Sequence, residues 1–252
     1  MMSSLRRRDR LMPQEFLFEI LSEEIPARMQ VQALDDLKTA FTTKLKAAGL
    51  SFSHIETHIT PRRLVACISG LAFSTQETRE ERRGPRLEAP DAALQGFLKS
   101  TSLTKEQLTQ KDGYWYALIA TPATPAATIL PNLCREIIRE FRWPKSMRWY
   151  GAPQTWVRPV RGILAVLNGK TLTFDIPEFN LTSSNKTNGH RFLSVGDFEV
   201  TCFADYKQEL ASRYVILSHQ QRQDSILAHL IQLGKDQGYA LEPDAKLLEE
   251  VA

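Results

Sequence analysis

RGILAVLNGKTLTFDI, residues 161–176, carries the most decisive local signal in this chain. An apolar run from Ile163 to Leu167 stops at Asn168-Gly169, and alternation resumes at Leu172, Phe174 and Ile176. Asn-Gly accepts the positive φ angles of a two-residue turn whose twist matches that of paired strands. The stretch therefore reads as a β-hairpin.

Working outward, EFLFEIL (15–21) alternates and is rich in large apolar residues, so it reads as a strand. SEEIPARM then turns into a helix, with Pro26 suited to its first turn. Leu34, Leu37, Phe41 and Leu45 continue at helical spacing, and Gly49 stands where a C-cap belongs. HIETHIT (54–60) and RLVACISGL (63–71) suggest a second β pair broken at Pro61. ETREERRGPR (77–86) reads as an exposed, mobile, charged connector. DAALQGFLKS (91–100) is helical, GYWYALIAT (113–121) is a strand, and ILPNLCREIIREF (129–141) is an amphipathic helix. After the hairpin, a polar loop, NLTSSNKTNG (180–189), leads into HRFL, and DFEVTCF (197–203) reads as a further strand. From Tyr206 the pattern is helical, with Ile226, Leu227, Leu230 and Ile231 on one face.

Strands interrupted by single helices, with hairpins among them, argue for an α+β fold rather than a doubly wound one. The expectation is mixed or antiparallel sheets with packed helices, turning all-helical toward the C-terminus. Residues 12–203 would form the α+β region, with a break near 77–90 dividing it into two subdomains. Residues 204–252 would begin a helical region, and DAKLLEEVA ends inside a helix as if the natural chain ran on. MMSSLRRRDRL (1–11) reads as a disordered tail, or as a start misplaced ahead of Met12.

At 252 residues the chain is long enough to bury a substantial core, and 42% hydrophobic with 24% charged residues is ordinary for a soluble globular protein. No apolar run approaches the ~18 residues of a membrane span, so no membrane contact is expected. The formal charge of +3 is too small in total to name a partner, which leaves its distribution to consider. Cys67, Cys134 and Cys202 are odd in number and form no CxxC pair. This argues against a disulfide framework or a zinc site and fits the reducing cytoplasm.

His54 and His58 invite a metal reading, but four residues of strand span roughly 13 Å, too wide to chelate one ion. The order H-x-E-x-H is also not that of the zinc proteases. Neither GxxxxGK[ST] nor GxGxxG after a strand occurs, so no nucleotide cofactor is expected in this chain. GxSxG is likewise missing, and no catalytic residue suggests itself. What stands out is FRWPKSMRWYGAPQTWVRPVR (141–161), with three of the four tryptophans, four arginines, one lysine and no carboxylate. Guanidinium groups bind phosphate bidentately and stack on bases, as aromatic rings do. The segment suits either an RNA-facing surface or a core with tryptophan anchors and arginines pairing nearby.

Taken in order, several blocks resemble one family, the bacterial glycyl-tRNA synthetase beta subunit. They are EFLFEILSEEIPARM, TPRRLVACISGL (60–71), RRGP with DAALQGFLKS (82–100), WPKSMRWYGAPQTWVRPVRGILAVLNG (143–169) and GHRFL (189–193). The resemblance implies a subunit of an alpha2beta2 tetramer that joins glycine to tRNA(Gly) at the expense of ATP. The class II active site, with ATP and Mg2+, would belong to the alpha subunit. This chain would help bind tRNA and alpha, and would be inactive alone. Candidate RNA contacts within the family-like blocks are Arg62, Arg63, Lys145, Arg148, Arg158, Arg161 and Arg191. The alternatives are a stand-alone RNA-binding module or a protein-interaction scaffold with no ligase role. Leu21-Ser22 stand where the family has Gly-Thr, Tyr150 is inserted before Gly151, and Gly162 replaces an aromatic. The first two departures are expected to alter turns.

Overall fold

A computed structural model describes residues 14–149 and 151–252, so the segment 1–11, the possible start at Met12 and the inserted Tyr150 lie outside the described residues. The chain forms two compact units, one made of the residues up to Phe73 together with Ala126–Ala252, the other of Ser74–Pro125. The first unit opens with β1 (Gln14–Ser22), α1 (Ala27–Ala47), β2 (His54–Thr60) and β3 (Arg63–Leu71). The second holds β4 (Thr78–Arg86), α2 (Asp91–Thr101), β5 (Leu108–Lys111) and β6 (Tyr114–Thr121). The first then resumes with α3 (Ala126–Glu140), β7 (Val160–Leu167), β8 (Lys170–Thr171), β9 (Asp175–Ile176), β10 (Leu181–Thr182), β11 (Lys186–Asn188) and β12 (Asp197–Glu199). Helices α4 (Phe203–Ser212), α5 (His219–Asp236) and α6 (Ala245–Val251) follow, as the helical pattern after Tyr206 predicts.

The main sheet runs β2-β3-β1-β7-β8, with every pairing antiparallel. β1 is its middle strand, and the alternation in EFLFEIL divides two cores. Phe16, Phe18 and Ile20 pack with Leu37 and Phe41 of α1 and with Leu130 and Ile137 of α3. Leu17 turns to the other face and packs with Val65, Cys67, Leu164, Phe203, Tyr206 and Leu210. Helices therefore cover one face, while α4 and the β11–β12 pair cover the other.

Asn168 and Gly169 take φ angles of 49° and 77°, as the hairpin reading requires. Its second arm is shorter than predicted, with only Val166↔Thr171 and Leu167↔Lys170 in register. The physical reason is competition for the edge of β7. Ala165 N–H donates to the Ser184 carbonyl at 2.9 Å and Ser184 N–H to the Ile163 carbonyl at 3.0 Å.

Residues 77–86 form no connector. They make strand β4 at the edge of the β4-β6-β5 sheet, with Arg83 opposite Tyr116 and Arg86 opposite Tyr114. Backbone pairing needs no apolar side chain, and the charged residues stay in water, with the Arg83 guanidinium 4.8 Å from the Tyr114 ring. The polar loop 180–189 likewise contains two short strands, which pair with β9 and β12. DFEVTCF is strand only over Asp197–Glu199, because α4 begins at Phe203. Leu230 and Ile231 on α5 are exposed, so the apolar face expected there is uncovered. Among the described residues, no helix is long and apolar enough to cross a membrane.

Candidate nucleic-acid interface

The tryptophans of residues 141–161 are anchors. Trp156 is fully buried, and Trp143 and Trp149 are half-buried. Phe141, Trp143, Trp156, Phe179 and Trp149 form a chain of rings with centroids 5.0–5.7 Å apart. Met147 and Trp156 exchange backbone hydrogen bonds of 2.8 and 3.1 Å. The intervening loop is thereby pinned to the core while Lys145 and Arg148 point into solvent, with no ion pair or hydrogen bond among the described residues.

The other five candidates divide sharply. Arg63 is 2% exposed and cannot reach a phosphate. Its Nε lies 3.2 Å from Oε2 of the equally buried Glu19, off the donor axis, so the contact at that atom is ionic rather than a hydrogen bond. Nη2 donates to the Asn188 carbonyl and, at 3.3 Å, to the Gly189 carbonyl. Glu19 also accepts from Thr187 Oγ1 at 2.6 Å and from the Tyr206 hydroxyl. Burial above all, and then the Glu19 charge, push the Tyr206 pKa well up. Arg63 is thus a buried counter-ion joining β1, β3, β11 and α4, and its place among the candidate RNA contacts is a misreading. Alternation explains it, since Arg63 shares a face with Val65 and Cys67, and that face is the interior.

Arg62, one residue earlier, lies in the turn before β3 and comes to the surface. It meets Arg161 and Arg191 at a single carboxylate, with Glu23 at 3.9, 3.6 and 3.5 Å from the three guanidinium groups respectively. Each is brought there by a definite device. Arg62 Nε donates to the Ser22 carbonyl at 3.3 Å. Leu21 faces Gly162 and Ser22 faces Val160, so Arg161 is the extra residue of a β-bulge and is turned outward. Arg191 rides on a tight loop in which His190 Nδ1 accepts the Phe192 and Leu193 backbone N–H groups, both at 3.2 Å. That loop tolerates only glycine at 189, where a Cβ would fall 2.4 Å from Arg213 Cβ and 2.9 Å from its carbonyl oxygen. Burial lowers the Arg62 pKa, Glu23 opposes this, and Arg63 and Arg191 push in the same direction as burial, the mark of crowded cations.

Arg158 donates to its neighbour's carbonyl, Val157 O, at 2.8 Å and joins Arg62 and Arg191 in lining a cleft of about 670 Å³. The structure therefore gathers Arg62, Arg158, Arg161 and Arg191, leaves Lys145 and Arg148 on their own loop, and removes Arg63. Glu23 is the organising residue, and sequence reasoning misses it. Its one signal is the acidic pair in SEEIP beside an otherwise apolar strand.

Residues 16–252 match a family described as the glycyl-tRNA synthetase beta subunit. The chain belongs to that family. The glycine–tRNA ligase beta subunit of Paracoccus denitrificans is 41% identical over 244 residues, covering 94% of this chain and 36% of the relative. That of Phenylobacterium zucineum is 41% identical over 242 residues, covering 96% and 36%. The Rhodospirillum centenum protein is 38% identical over 265 residues, covering 94% and 37%. The chain thus spans about a third of the length of these beta subunits. Leu21, where a turn was expected, lies within the sheet as the register partner of Gly162 on β7.

Proposed function

We propose that this chain is the N-terminal part of the beta subunit of a glycine–tRNA ligase, helping to hold tRNA(Gly) and the alpha subunit while glycine is attached using ATP. In this reading the assembly is alpha2beta2, and ATP and Mg2+ act on the alpha subunit. The present chain contributes no catalytic residue and works in the cytoplasm. Family membership supports the subunit role. One geometric observation supports RNA contact: three guanidinium groups share one carboxylate, leaving net positive charge beside an open cleft. Such cations bind phosphates and release counter-ions on doing so.

The test uses the full-length subunit. It should co-purify with a separately supplied alpha subunit and restore glycylation of tRNA(Gly). Replacing Arg62, Arg161 and Arg191 with Gln should weaken tRNA binding and lower its salt slope by about one unit for each phosphate that is no longer held. Unchanged binding and slope would remove RNA contact from this surface. Failure to associate with alpha or to support glycylation would remove the ligase role.

A further inference from the structure

The cleft beside Glu23 has features that the phosphate-binding role leaves unexplained. Two large aromatics stand in water among its lining residues, Phe192 at 81% and Tyr214 at 64% exposure. Tyr214 holds a φ of 61°, in the left-handed region that side chains avoid at a cost of about 1–3 kcal/mol. That residue ends α4, where its N–H donates to the Ala211 carbonyl at 3.2 Å and Val215 N–H to the Leu210 carbonyl at 2.9 Å, while its hydroxyl has no hydrogen-bond partner among the described residues. The cleft is further lined by Ile25, Pro61, Val215 and Ile216, an apolar surface next to the arginines, and by the carboxylates of Glu24 and Glu250. His190 lines it too, and because its Nδ1 accepts backbone N–H groups, the proton of the neutral ring sits on Nε2 as a spare donor. The Arg191 guanidinium lies 5.5 Å from the Phe192 ring, so a cation and an aromatic face are presented together.

Resting on the RNA-binding reading above, we propose that this cleft takes one unpaired nucleotide of an RNA strand. Its base would lie against Phe192 and Tyr214 and its phosphate on the guanidinium groups of Arg62 and Arg191. Exposed aromatics stack on any base that is not already paired, and each such contact is worth about 1–3 kcal/mol. A duplex keeps its bases stacked inside and offers only phosphates, so it would engage the arginines and leave the aromatics idle. Glu23 holds these guanidinium groups at 3.5–3.9 Å, long contacts that occupy few of their donors.

The test uses the full-length subunit with its partner and three probes, a 5′-phosphorylated RNA dinucleotide, a blunt-ended RNA duplex and tRNA(Gly). Tyr214→Asn keeps a residue that tolerates positive φ while deleting the ring, and Ile216→Glu places a charge in the cleft at a partly exposed position. The expected result is dinucleotide binding to the parent, about tenfold weaker binding to either variant, and duplex affinity unchanged. Equal dinucleotide binding by parent and variants overturns the proposal. So does release of the partner subunit from the variants while the dinucleotide still binds, which would make the rim a protein contact. Binding of tRNA without any binding of dinucleotide sinks this inference alone, whereas no binding of either sinks the RNA-binding reading as well.

Discussion

Glu19 and Glu23 stand close together in sequence, yet they organise two opposite kinds of arginine site. Glu19 lies in the middle of β1 under α4, sealed with Arg63, Tyr206 and Thr187. Glu23 lies just past the end of the same strand and holds three guanidinium groups at once, two of them half in water. The neighbours Arg62 and Arg63 divide between them. What separates the two sites is strand alternation and the position at which the strand ends. A guanidinium on an inward strand position is a structural counter-ion, because leaving its carboxylate alone in the interior is costly. A guanidinium past a strand end, or turned out at a bulge, keeps donors in solvent. A cluster of basic letters in a motif is therefore no single function.

Removing each neighbour in turn should have the largest effect. Arg63→Met should strip the counter-charge from buried Glu19 and cost about 3–5 kcal/mol in denaturant unfolding. Arg62→Met should cost less than about 1 kcal/mol. Equal costs would erase the distinction. Tyr206→Phe comes next, deleting a hydrogen bond to a charged group at about 1.5–3 kcal/mol. It should also change the pH profile. The folded pKa of Tyr206 is raised, so its contribution is intact below the unfolded value near 10 and declines as pH rises toward the folded value. The parent should lose stability above about pH 10 with a steeper slope than the phenylalanine variant. An identical slope in both would contradict the buried hydroxyl.

A smaller effect concerns the Leu21–Gly162 pair. Leu21→Gly alone should destabilise by roughly 1–3 kcal/mol, and adding Gly162→Phe should recover part of that in a double-mutant cycle. Additive costs would mean that the two positions do not pack against each other across β1 and β7. Smallest is a difference in reactivity with no change in stability. Burial pushes the Cys67 thiol up to about 12 and raises Cys134 as well. Half-exposed Cys202 should therefore alkylate first under native conditions, as mass spectrometry of the modified chain would read.

Much of the fold was legible where the backbone signal was local. Asn168-Gly169 announced the turn, Gly49 the end of α1, and the alternation in EFLFEIL its strand. Pairing of β1 with β7 was not legible, because the two strands are far apart in sequence and period alone names no partner. β4 was missed because its charges suggested solvent, which is true of its side chains and irrelevant to its backbone. At the site, the sequence marked the arginines but could not rank them. Arg63 did carry a signal. Glu19 amid apolar neighbours on one strand and Arg63 at the head of another suit a buried pair, and the register Leu21↔Arg63 sets them close together. Tyr214 had no signal at all, since its left-handed backbone comes from how α4 ends.

A ligand surface at the Glu23 cluster, held in check by its own carboxylate, predicts a gain of binding when that carboxylate is neutralised. Titration of tRNA(Gly) into full-length Glu23→Gln across a range of salt concentrations, beside the parent, should show several-fold tighter binding and a salt slope steeper by about one unit. The melting temperature should barely change. Weaker or unchanged binding, with a lowered melting temperature, would make Glu23 and its arginines a structural knot like that around Glu19.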